Sequence, residues 1–139
     1  MTPEEIKAWL RRSGIASDAV SVERIAGGSL NEVFRARVGD ERLIVKYVPP
    51  YVSSDPTIAL SPRRLLIEAR CLRELAFGGA LADVSSRGVR TPRLRVLDEV
   101  ARILAMQDVG ALADLDTAMR GNDSVDPDLG TRLGSFIGC

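Results

Sequence analysis

VSVERIAGGSLNEVFRARVGDERLIVKYVPP, running from Val20 to Pro50, carries its side chains in a period of two and breaks that period twice at glycine. Val20 to Ala26 alternates as a strand does and ends at Gly27-Gly28-Ser29-Leu30-Asn31. Phe34, Ala36 and Val38 then alternate with Val33, Arg35 and Arg37, the pattern of a half-buried strand. Gly39-Asp40 marks a tight turn, and Arg42 to Val48 is a third strand, apolar on both faces apart from its ends and one lysine. Pro49-Pro50 ends it, because proline has no N–H for a ladder. Three strands joined by short glycine turns predict an antiparallel meander.

Outward from that core, Thr2-Pro3-Glu4-Glu5 predicts a helix start, with Thr2 as cap and Glu5 completing a reciprocal capping pattern. Ile6, Trp9 and Leu10 form its apolar stripe, so Trp9 reads as core, and Ser13-Gly14 ends it. Beyond Pro50 a polar, proline-containing loop runs to Ser61, and Ser61-Pro62 opens a helix to about Phe77, closed by Gly78-Gly79. Arg93 to Asp98 and Ala101 to Met106 predict a further antiparallel pair. Asp108-Val109-Gly110 reads as an exit loop, followed by a short helix from Ala113 to Arg120 and a final one after Asp126-Pro127. The expectation is an α+β fold: a five-stranded antiparallel sheet, one long helix inserted after the third strand, an N-terminal helix and C-terminal helices.

Composition narrows the function. Nineteen basic residues balance nineteen acidic ones, which gives no electrostatic case for nucleic acid or an anionic membrane as partner. No stretch is long and apolar enough to span a bilayer, and the acidic start is unlike a secretory signal, so the expected location is cytoplasmic. The 139 residues contain no histidine, which removes a Ser-His-Asp triad, a Cys-His pair and a HExxH zinc site from this chain. Cys71 and Cys139 match no metal or redox spacing; Cys71 is expected to pack as a small hydrophobe.

Two charges sit where the apolar pattern leaves no room for them. Lys46 lies between Val45 and Tyr47 in the apolar third strand, and desolvating an ammonium without a partner is costly. Glu68 lies three residues beyond Leu65 and four before Leu72, on the stripe of its helix, whereas Arg63, Arg64, Arg70 and Arg73 fall around the rest and are expected to reach water. Each charge is therefore the economical partner of the other. Paired glycines at Gly27 and Gly28 tolerate positive φ and let backbone N–H groups approach an anion, although most such hairpins are only turns. At the end of the fifth strand, Met106, Gln107 and Asp108 offer backbone groups at a change of composition that resembles a hinge.

Glycine hairpin, strand lysine, helix glutamate and hinge occur in the order found in protein-kinase-like proteins. Residues Ala26 to Arg35 resemble the phosphate loop of the aminoglycoside phosphotransferase family, Leu43 to Lys46 its lysine strand, Ser61 to Ala69 its glutamate helix and Leu104 to Gly110 its hinge. Ser29-Leu30-Asn31 and Lys46 to Val52 lean toward the methylthioribose kinase branch. The resemblance implies that Lys46 holds the α- and β-phosphates of ATP and that Glu68 positions it. It further implies that Gly27, Gly28, Ser29 and Asn31 form the loop over the phosphates, and that Met106 to Asp108 meet the adenine. ATP with Mg2+ would be the cofactor, and the metal ligands and catalytic base are expected outside this chain, in a second lobe. Residues 1–107 would be the nucleotide-binding lobe and 108–139 the hinge and the start of a helical lobe.

On this reading the chain is the ATP-binding part of a small-molecule kinase and is expected to be inactive alone, with no catalytic and no metal-ligating residue of its own. The acceptor would be a small-molecule alcohol. Leu129, Leu133, Phe136 and Ile137 would expose an apolar face that drives self-association. A second reading, from another class, is a stand-alone nucleotide- or protein-binding regulatory module that keeps the same fold.

Overall fold

The computed structural model describes residues 1–16, 19–26, 29–76, 78–82, 91–110, 128 and 131. Helix α1 spans Pro3–Arg12. Its capping box is complete: the Glu5 N–H donates to Thr2 Oγ1 at 3.2 Å and the Thr2 N–H donates to Glu5 Oε2 at 2.7 Å. Strands β1 (Val20–Ile25), β2 (Glu32–Val38) and β3 (Glu41–Tyr47) follow as the expected meander. Pairing of Val38 with Glu41 leaves Gly39 and Asp40 as a two-residue turn, and Gly39 takes φ +59°, a conformation that favours glycine. Short strands β4 (Tyr51–Val52) and β5 (Asp55–Ala59) precede α2 (Arg64–Glu74), and after it come β6 (Leu94–Asp98) and β7 (Ile103–Gln107). The sheet order is β1-β2-β3-β7-β6, antiparallel throughout. The α+β class and the five-stranded sheet are therefore as the sequence reads.

The two faces of this sheet are covered differently. On one, Phe34, Ala36, Leu43, Val45, Ile103 and Ala105 meet Ile6, Trp9 and Leu10 of α1 in a buried core. The Trp9 indole N–H donates to Asp98 Oδ2 at 2.9 Å, so its polar edge is satisfied inside that core. On the other face Leu65, Ala69 and Leu72 of α2 pack on Leu104, Met106 and Val48, with Ile44, Leu94 and Leu97 at the margin. An irregularity between Leu94 and Val96 shifts the register of β6, which lets Leu94 and Leu97 both serve that margin. This second core lies over β7 and β6 and stops at Ile44 of β3.

Three expectations change. The segment expected to be loop as far as Ser61 contains a two-stranded hairpin, β4 (Tyr51–Val52) with β5 (Asp55–Ala59). Within it Asp55 Oδ1 accepts from the Thr57 hydroxyl at 2.6 Å and the Thr57 N–H at 3.1 Å, hydrogen bonds that hold its carboxyl below the usual range. Helix α2 begins at Arg64 rather than Ser61 and ends at Glu74. Gly79 is required just past that end, since a Cβ there would lie 2.3 Å from the Arg73 carbonyl oxygen. Cys71 is exposed and free on the outer side of α2, not packed. The helices expected within 113–120 and after Pro127 lie outside the described residues, apart from exposed Asp128 and Thr131. So does the apolar face expected at Leu129, Leu133, Phe136 and Ile137. Among the described residues no helix is long and apolar enough to cross a membrane.

Candidate functional site

Register places Lys46 opposite Val33 on one side and Leu104 on the other, and Ile44 between Arg35 and Met106. Because side chains alternate along a strand, these residues share the face that carries α2. Helix α2 covers Leu104 and Met106, which are buried, but not the β1–β3 half of the face. There Val33 and Ile44 are half-buried, and Glu23, Arg37 and Arg42 are exposed. The result is an open strip with an apolar centre at Val33 and Ile44 and charged ends.

Lys46 stands on the border between the strip and α2. Its ammonium donates to Glu68 Oε1 at 2.5 Å. The two charges that break the apolar pattern are thus in contact. Their surroundings differ from the expectation, however: the side chains keep 24% and 30% of their exposure, so the pair is at a solvent-open rim and not in the core. An ammonium has three N–H donors, so a Lys46 held by one carboxylate oxygen can still meet an incoming anion.

The other expected site residues divide. Gly27 and Gly28 lie outside the described residues. Ser29 is exposed, and its carbonyl accepts from the Ser54 N–H at 3.0 Å, which ties the loop to the β4–β5 hairpin. Asn31 Oδ1 accepts from Arg64 Nε at 3.2 Å. At the far end, Met106 is a core side chain beneath α2. The amides of Gln107 and Asp108 are engaged within the protein, donating to the Arg93 and Arg42 carbonyls at 2.8 Å and 3.0 Å. The Asp108 carboxylate, 3% exposed, accepts from Arg35 Nε at 3.0 Å and from the Gly110 N–H at 2.9 Å.

Arg35 was not singled out from sequence, yet it bridges Asp108 and Glu23 across the end of the strip. The periodicity marked it only as outward-facing. A shallow recess of about 230 Å³ lies beside it, lined by Ser21, Glu23, Arg35, Arg37 and Arg42. Arg64, expected to reach water, is instead half-buried, its guanidinium turned in toward Asn31. Among the described residues no group of three or more His, Cys, Asp or Glu side chains comes together as a metal site.

With this geometry in view, comparison with known proteins gives a class. No family model matches the chain. Over 122 residues, 84% of its length, the chain is 27% identical to a 4-hydroxytryptamine kinase of Psilocybe cyanescens. Over 63 residues it is 40% identical to a methylthioribose kinase of Exiguobacterium sibiricum. The matched regions are 34% and 16% of those two proteins, so the chain spans a minor part of either. Both relatives are kinases by name, and the chain is related to kinase-type phosphotransferases at low identity.

Proposed function

We propose that residues 1–107 are the nucleotide-holding lobe of a small-molecule kinase, that residues from 108 onward begin a hinge toward a second lobe, and that the open strip is where ATP lies. The observation that carries this reading is the Lys46–Glu68 pair, set at the rim where an uncovered sheet face meets α2. A purely structural ion pair gains little at such exposure, about 0–1 kcal/mol. The same position suits a cation that must be held in place and still reach a solvent-borne anion.

The residues present fit a nucleoside triphosphate. Half-buried Val33 and Ile44 offer an apolar surface for a flat base, and Lys46 offers a fixed cation for phosphate oxygens. Ser29 and Asn31, with Gly27 and Gly28, would form the loop beside the phosphates. Met106 to Asp108 would meet the base through main-chain groups; because the Gln107 and Asp108 amides are engaged, the carbonyls are the better candidates. Bound Mg-ATP supplies the transferable phosphoryl group, and this chain's part is to hold and orient it. The names of the two relatives carry unlike acceptors, a hydroxytryptamine and methylthioribose, so the acceptor is proposed only as a hydroxyl-bearing small molecule.

Titration with Mg-ATP of the wild-type chain and of Lys46→Ala tests the reading. Lysine-dependent binding is expected, with the variant weaker by about tenfold or more, in keeping with loss of a charge-assisted contact. Absence of binding, or binding equal in the two proteins, would overturn it.

A further inference from the structure

Arg64 makes more hydrogen bonds than any other side chain among the described residues, and they reach three segments: the loop before β2, the chain just past the Lys46 strand, and the lead-in to α2. Its Nε donates to Asn31 Oδ1 at 3.2 Å. Nη1 donates to the carbonyls of Leu60 and Ser61 at 3.2 Å and 2.8 Å. Nη2 donates to the carbonyls of Leu30 and Pro49 at 3.1 Å and 3.0 Å. A guanidinium has five N–H groups, and these five contacts can engage every one. All five acceptors are uncharged, so the arrangement is a clamp on the chain rather than an ion pair. Burial pulls the Arg64 pKa downward, as expected of a cation drawn off water to make these contacts.

The clamped segments are those that set the site. Leu30 and Asn31 are the exit of the glycine loop, three and two residues before Val33, which pairs with Lys46. Pro49 lies three residues beyond Lys46 at the end of its strand. Arg64 itself is on α2 one turn before Glu68, and residues four apart on a helix share a face. One side chain therefore joins the loop, the lysine strand and the glutamate helix.

We propose that Arg64 is a positioning residue that fixes the exit of the glycine loop relative to the Lys46–Glu68 pair, and so sets affinity for the phosphate chain of the nucleotide but not for its nucleoside. This rests on the nucleotide reading above. Lysine cannot substitute, because three donors on a single nitrogen cannot span acceptors spread over three segments.

The test compares Mg-ATP and adenosine binding, by NMR titration, in wild type, Arg64→Lys, Lys46→Ala and the double variant. Arg64→Lys is expected to weaken Mg-ATP about tenfold and to leave adenosine within about twofold. Because both residues act on one phosphate site, the double variant is expected to be little weaker than Lys46→Ala alone, a departure from additivity. Should Arg64→Lys fail to fold, Arg64→Gln, which keeps an amide donor but not the fork, is expected to lower Mg-ATP affinity in the same selective way. Equal losses for Mg-ATP and adenosine would reduce Arg64 to general support and overturn the proposal. If Mg-ATP binding depends on Lys46 but is untouched in Arg64→Lys, the clamp falls while the nucleotide reading stands. If wild type does not bind Mg-ATP, both fall.

Discussion

The two faces of the sheet are made from the same strands and serve different ends. The α1 face is closed: Phe34, Ala36, Leu43, Val45 and Ala105 are fully buried beneath Ile6, Trp9 and Leu10. The α2 face is half closed, dry over Leu104 and Met106 and open from Ile44 to β1. On the open half Lys46 meets Glu68 and Arg35 meets Asp108, whereas on the closed face the buried Glu32 carboxylate is taken up by the N-terminal ammonium of Met1. One face holds the fold together, and the other leaves backbone and side chains within reach of a ligand.

That contrast predicts unequal costs for similar truncations. Phe34→Ala, on the closed face, is expected to lose about 3–5 kcal/mol of stability, as large-to-small changes in a packed core do. Ile44→Ala, one register position away on the open face, is expected to lose less, about 1–2 kcal/mol, because part of its surface already meets water. Urea denaturation of the two variants checks this, and equal losses would break the distinction between the faces.

A smaller effect tests the seam between α1 and β6. The carboxyl of Asp98 is held below the usual range, first by the Ala101 N–H at 2.8 Å and then by the Trp9 indole N–H. A depressed folded pKa stabilises the protein fully above the unfolded value, near 3.9, and that contribution is lost as pH falls through the folded value. Glu5 and Asp55 are shifted in the same direction, so the informative quantity is a difference between proteins. Asp98→Asn is expected to be less stable than wild type near neutrality and to close that gap below about pH 4. A gap that persists unchanged into acid would contradict the assignment.

Much of the closed face was legible in the sequence. Thr2, Pro3 and Glu5 specify the start of α1, and Phe34, Ala36 and Val38 alternate cleanly because one side of β2 is fully covered. The open face was harder. In β3 both faces read as apolar, so periodicity could not say which one α2 covers or where cover stops; only the register of Ile44 with Met106 shows that. Lys46 and Glu68 were found as violations of the apolar pattern, and they do pair, but at a rim rather than in a core. Arg64 gave no such signal, since an arginine among arginines reads as a solvated face and its five acceptors come from segments up to 34 residues distant. The β4–β5 hairpin was hidden for a related reason: its strands are short and carry Pro56 and a bulge.

The central claim is that the open face, and not the closed one, receives a nucleotide. Methyl resonances report on the two faces separately, Val33 and Ile44 on one and Val45 and Ile103 on the other. Adding Mg-ATP is expected to shift the Val33 and Ile44 methyls in a manner that Lys46→Ala abolishes, with Val45 and Ile103 left in place. Shifts confined to Val45 and Ile103, or none at Val33 and Ile44 at saturating nucleotide, would contradict the account.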